Sequence, residues 1–228
     1  MATVDLAQRS VRELNAALHA LKADQRGSWE IINPMGKHAL AVGLNAPISV
    51  AIAGHVGYYC AGMNMQASVT ISGNAGVGLA ENMMSGSVRV KGDASQSAGA
   101  TGHGGLLVIE GNAAARCGIS MKGIDIVVQG SIGPMSAFMG QAGNLVVLGD
   151  AGENLGDSLY EARLFVRGTV KSLGADCIRK SLEPAERATL KSLLAAAGMS
   201  DLARPDEFTL YGSARRLYHF HVDNADAY

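Results

Sequence analysis

Residues 67–111 read ASVTISGNAGVGLAENMMSGSVRVKGDASQSAGATGHGGLLVIEG, and three segments in this stretch are variants of one another: ASVTISG, GSVRVKG and GLLVIEG. Their closing glycines, Gly73, Gly92 and Gly111, stand 19 residues apart. Followed outward, the same spacing reaches Gly54 on one side and Gly130, Gly149 and Gly168 on the other, without an insertion. Four and two residues before each glycine the side chain is apolar: Val50/Ile52, Val69/Ile71, Val88/Val90, Leu107/Ile109, Ile126/Val128, Leu145/Val147 and Leu164/Val166. Alternation with β-branched residues specifies a strand with one buried face. The position between them varies from Ala51 and Thr70 through Arg89 to Phe165, so it is expected to face out, as is the residue just before the glycine (Lys91, Glu110, Gln129, Arg167).

Two further columns run through the repeats. Two residues after the glycine stand Val56, Ala75, Ala94, Ala113, Ile132, Ala151 and Val170. Seven residues after it stand only Ala or Gly: Ala61, Ala80, Gly99, Gly118, Ala137, Gly156 and Ala175. The second column predicts an inward corner with room for nothing larger. The closing glycines are expected to need either a positive φ or a close backbone approach. A coil of 19 residues is too short for a strand, a helix and two loops. It suits two or three short strands, each pairing in parallel with its counterpart one coil on, at about 4.8 Å per coil. Parallel connections are right-handed. The fold expected is therefore an all-β solenoid, a right-handed parallel β-helix of seven 19-residue repeats.

The flanks divide the chain into an N-terminal helix and cap (1–27), the β-helix (28–177) and a C-terminal helix with an extended tail (178–228). Ser10 and Glu13 form a capping box before the apolar face Val11, Leu14, Leu18 and Leu21. Glu183-Pro184 opens a second helix with Leu190, Leu193 and Leu194 inside and Gly198 at its end. Both are expected to cap the ends of the stack, and the tail Ala203–Tyr228 to be dispensable for folding.

Composition narrows the function. Nineteen basic and twenty acidic residues leave a net charge of −1, which does not describe an electrostatic nucleic-acid or membrane binder. Asp5, Arg9, Arg12 and Glu13 occupy the place of a leader's apolar stretch, so no leader is expected. Cys60, Cys117 and Cys177 are an odd set at wide spacing, expected as reduced thiols in the cytoplasm. Cys60 and Cys117 share one slot three coils apart, ~14 Å, beyond disulfide reach. Gly76-Val77-Gly78 and Gly102-His103-Gly104 lack the third glycine and following helix of a dinucleotide loop. His219 and His221, with Asp223, are a metal pair in form, for which packing or contact is the preferred reading. No catalytic, cofactor-binding or metal-binding residue is assigned.

Methionines gather nine to eleven residues after the glycines: Met63, Met65, Met83, Met84, Met121 and Met139. One reading packs them inside; the other makes a stripe facing a partner. On the second reading Met63, Met83, Met121 and Met139 join Tyr218, Phe220 and Tyr228 of the tail as candidate contacts.

The run Gly73-Asn74-Ala75-Gly76-Val77-Gly78 to Gly92-Asp93-Ala94, with Gly149-Asp150-Ala151-Gly152, resembles the GXGXG domain of the glutamate synthase large subunit over Ser28–Cys177. That family's domain is a right-handed β-helix carrying no catalytic residue. The resemblance is strongest to stand-alone subunits of glutamate-synthase-like complexes, as in N-methylglutamate synthase (methylamine–glutamate N-methyltransferase), where Ala175-Asp176-Cys177 also fits. It implies a noncatalytic subunit of methylamine and glutamate metabolism. This subunit would bridge a class-II glutamine-amidotransferase-like subunit and a glutamate-synthase-like subunit carrying FMN and an iron–sulfur cluster, with no cofactor in this chain. The chain opens Met1-Ala2, not with the cysteine of an amidotransferase. The same repeat in the C subunit of formylmethanofuran dehydrogenase gives the alternative, a formyltransferase/hydrolase-like complex. A left-handed acyltransferase helix would show a hexapeptide period, which 19 does not fit.

Overall fold

The computed structural model describes residues 1–215; Tyr218, His219, Phe220, His221, Asp223 and Tyr228 lie outside them. The chain enters through strand β1 (Ala2–Asp5), helix α1 (Val11–His19) and strand β2 (Ser28–Ile32). Seven strands follow at the repeat spacing: β3 (Ser49–Ala53), β4 (Ser68–Ile71), β5 (Ser87–Val90), β6 (Leu106–Ile109), β7 (Lys122–Val128), β8 (Ala142–Val147) and β9 (Arg163–Val166). Strand β10 (Cys177–Lys180), helix α2 (Pro184–Ala196), a 3-10 turn (Pro205–Glu207) and strand β11 (Thr209–Ser213) complete it.

The expected right-handed β-helix is what forms. Strands β1 to β9 pair in sequence, all parallel, and from β3 onward partners stand 19 residues apart, as in Val50 with Val69 and Ile52 with Ile71, except where the register shifts at Lys122 with Ala142. Both apolar columns are buried along the whole stack. Each such side chain contributes about 1.5–3 kcal/mol by leaving water. The column from Val56 to Val170 makes a second parallel ladder, one bridge per coil.

The third side of each coil is built on left-handed backbone. In the coil after Gly73, residues Gly78, Ala80 and Asn82 have φ of 71°, 54° and 55°; in the coil after Gly111, Arg116, Gly118 and Ser120 have 59°, 69° and 52°. Such a conformation costs roughly 1–2 kcal/mol per non-glycine residue. The N–H groups these turns free are all taken up: Ala80 donates back to the Cys60 carbonyl (2.9 Å), while Gly78 and Asn82 donate forward to Gln96 (3.0 Å) and Ala100 (2.9 Å). The Ala/Gly column is therefore small for two reasons, since it is both buried and left-handed at Ala61, Ala80 and Ala137. Ala175 departs from it. The last coil is one residue shorter in its pairing, so Asp176 takes the positive φ (59°) and Ala175 is exposed.

Of the closing glycines only Gly54 has a positive φ, +138°. At the others the constraint is approach: a Cβ on Gly111 would lie 2.7 Å from the Gly92 carbonyl oxygen, and one on Gly149 2.6 Å from that of Gly130. Successive coils touch backbone to backbone at this edge.

The ends are closed differently from the sequence expectation. At the N-terminal end β1 adds a strand beyond β2, and α1, with its capping box in place (Glu13 N–H to Ser10 Oγ, 3.2 Å), packs Leu14 and Leu18 into the core. Asn15 of α1 acts as the missing coil: its Nδ2 donates to the Ala39 carbonyl (2.7 Å) and its Oδ1 accepts from the Ala41 N–H (3.0 Å). These would otherwise be unpaired groups at a sheet edge.

Helix α2 is not an end cap. It lies along the outer face of the sheet, where Leu190, Leu193 and Leu194 form a second core with Val108, Val127, Val146, Phe165, Phe208 and Leu210. The column expected to face water is thus buried from Val108 onward. Arg89 is also engaged, bonding Glu110 (2.9 Å) and the Ala197 carbonyl at the end of α2 (2.8 Å). The far end is closed by β11, which inserts antiparallel between β9 and β10. Residues 203–215 are consequently part of the fold, and the expectation that the whole tail is dispensable is overturned.

Candidate functional site

The interior of the stack is aliphatic and holds its thiols inert. Cys60 and Cys117 are fully buried, and burial pushes both up to about 12; Cys177 is pushed up to about 11, by burial and by the nearby Asp157. None is a thiolate at neutral pH. The two glycine pairs serve packing: a Cβ on Gly76 would lie 2.5 Å from the Gly57 carbonyl carbon, and one on Gly102 2.9 Å from Ile124 Cβ. Among the described residues no group of three or more His, Cys, Asp or Glu is arranged to hold a metal ion.

The methionines do not form one stripe. Met83 and Met121, ten residues after their glycines, are 0% exposed and belong to the core, which removes both as candidate contacts. Met63 and Met139, nine after, are 44% and 45% exposed, and Met65 and Met84, eleven after, also face solvent. The side chains alternate here, so a window of three positions mixed two directions.

One feature of the edge escaped the sequence reading. The residues directly after the closing glycines, His55, Asn74, Asp93, Asn112, Ser131, Asp150 and Thr169, form a side-chain ladder up the outside. The N–H of Asn74 donates to His55 Nδ1 (2.9 Å), that of Asp93 to Asn74 Oδ1 (3.0 Å) and that of Asn112 to Asp93 Oδ1 (2.7 Å). Ser131, Asp150 and Thr169 continue it at 2.9, 3.0 and 2.7 Å. The backbone and hydroxyl of Thr169 hold the Asp150 carboxyl below its usual range. The signal was available: a column restricted to short side chains able to accept a hydrogen bond.

Polar chemistry otherwise gathers at the C-terminal end. An open hollow of about 580 Å³ is lined by Tyr160, Arg163, Lys180, Glu186, Tyr211 and Arg215, among others. Arg215 is ion-paired with Asp176, while Glu186 Oε2 is buried without a hydrogen-bond partner among the described residues. On the adjoining outer face Asn144 Nδ2 donates to Asp125 Oδ1 (2.6 Å), and burial raises the Asp125 carboxyl above its ordinary value against the opposing pull of Asn144 and Arg163. A raised carboxyl binds its proton more tightly folded than unfolded, so the ionised form destabilises the fold above the carboxylate range. Asp125→Asn is therefore expected to raise the urea midpoint at pH 7 and leave it unchanged at pH 3. An equal shift at both would mean that charge is not the cause.

No helix among the described residues is long and apolar enough to cross a membrane. No family model matches the chain, and no solved structure does. It is 63% identical, over 229 aligned residues spanning the whole of both chains, to Protein GlxC of Rhizobium meliloti (strain 1021). With that identity along its full length, the chain belongs to the GlxC family.

Proposed function

We propose that the chain is a noncatalytic structural subunit of a glutamate-synthase-like complex, most specifically an N-methylglutamate synthase. In it the chain bridges a class-II amidotransferase-like subunit and a subunit carrying FMN and an iron–sulfur cluster, in the cytoplasm. The observation that carries this reading is the run of seven in-phase coils with GXGXG-type punctuation from Gly54 to Gly168. A stack hydrogen-bonded on all its sides is stiff, which suits holding two active sites at a fixed separation. Exposed Met63 and Met139 supply adaptable contacts of the kind enriched at interfaces. No residue of this chain is assigned to flavin, cluster or substrate.

Co-expression with the two companion subunits tests this. Methylamine-dependent formation of N-methylglutamate is expected only with all three chains present, the flavin absorbance remaining with the companion. Undiminished activity and assembly without this chain would remove the bridging role. Co-purification with subunits acting on a formylated C1 carrier would replace the reading with the formyl-dehydrogenase alternative.

A further inference from the structure

One outward column of the third side changes its chemistry along the stack. Eleven residues after the closing glycines stand Met65, Met84, His103, Lys122, Gln141 and Tyr160, all exposed, while the residues just before them point inward. The column is in register. The Met84 N–H donates to the Asn64 carbonyl (2.8 Å), that of His103 to Met83 (2.7 Å) and that of Lys122 to Gly102 (2.7 Å), in each case the residue preceding the column's member one coil back. Met65, Met84 and His103 are therefore three donors on consecutive rungs of one face, about 4.8 Å from rung to rung. Two are thioethers, 41% and 44% exposed, and the third is an imidazole. Lys122 ends the run.

We propose that Met65, Met84 and His103 form a binding site for a soft monovalent metal ion, copper(I). The donor set selects the ion. A thioether is neutral and polarisable and favours copper(I), while imidazole suits copper as well. Zinc takes thiolate, imidazole and carboxylate, and calcium and magnesium take oxygen; this column offers no thiolate and no carboxylate. Other soft donors among the described residues do not compete, because Cys60, Cys117 and Cys177 are buried thiols with raised pKa. The adjoining oxygen donors are engaged with each other, Thr101 Oγ1 donating to Asn82 Oδ1 (2.6 Å). The rungs themselves are fixed. Asn64, fully buried beside Met65, donates through Nδ2 to the carbonyls of Ala67 (2.8 Å) and Ser85 (3.1 Å), which pins the backbone on either side of the two methionines. Rigid rungs set the spacing, and the unbranched methionine side chains lean to meet one ion. The site goes beyond the structural role proposed above and does not depend on it.

The test is an anaerobic titration of the full-length chain with copper(I), and with silver(I) as a redox-inert stand-in, followed by NMR of methyl-labelled methionine. A single equivalent is expected to shift the methyl resonances of Met65 and Met84 and the ring resonances of His103, leaving those of Met35 and Met139 in place. Met84→Leu, an apolar exchange of similar volume at an exposed position, is expected to weaken binding about tenfold or more, at least what losing an outer partner of a metal site costs. Met139→Leu is expected to change nothing, and zinc(II) to leave the methionine methyl groups unmoved. If every exposed methionine shifts in parallel with added metal, the binding is adventitious. That result, unchanged affinity in Met84→Leu, or equal loss in Met139→Leu would each overturn the proposal.

Discussion

Truncation after Leu202 is expected to leave a chain that collects in the insoluble fraction, whereas truncation after Arg215 leaves the fold intact. The first removes β11, and with it the only sheet partner of β10 among the described residues and the strand covering β9. It also takes Ala203, Phe208 and Leu210 out of the core beneath α2, exposing Val146 and Phe165. Losing two or three buried side chains of this size costs on the order of 5 kcal/mol, comparable to the whole stability of many domains. A parallel sheet left with a long bare edge also invites pairing between chains. The two truncations should differ in soluble yield and in urea midpoint. A soluble, cooperatively unfolding chain ending at residue 202 would show that α2 and β10 hold the end without β11.

Gly111→Ala is expected to cost about 2–4 kcal/mol, large for the addition of one methyl group. The new Cβ would meet the Gly92 carbonyl oxygen at 2.7 Å and its carbon at 2.8 Å. These are backbone atoms of the coil behind, locked by their own hydrogen bonds, so the coils themselves must separate. Gly27→Ala is the control, because nothing lies within 4 Å of its Cβ and its φ is not positive; its effect should stay within about 0.5 kcal/mol. Equal effects at the two sites in urea denaturation would show that the edge has slack.

The repeat was legible because the solenoid writes each contact into the sequence at one spacing: Val69, Val88 and Leu107 are neighbours in space and lie one period apart in the chain. What departs from the period was hidden. Val108, Val127, Val146 and Phe165 change from polar or small to large and apolar along one column. That drift signalled the α2 footprint, but it was read as free variation because a helix lying on the flank leaves no mark at the 19-residue spacing. Four residues of β1 are too few to show alternation. The methionines misled for a related reason, since neighbouring positions on the left-handed side point in opposite directions. As for interaction surfaces, a period describes what neighbouring coils share, and a partner's footprint is where they differ.

The constant 19-residue separation between partners also sets the order in which the protein can be made. Each coil can settle on the one before it as soon as its own residues leave the ribosome, and the loop to be closed is equally short each time. Strand β1, α1 and Asn15 emerge first, so the growing stack has its starting plate before any repeat is complete. The exception is the last step: Tyr211 of β11 reaches back to Leu164 of β9, across β10 and the whole of α2. Until residue 213 has been synthesised the stack has an open end, and that interval is when a nascent chain is most exposed to pairing with its neighbour on the same message.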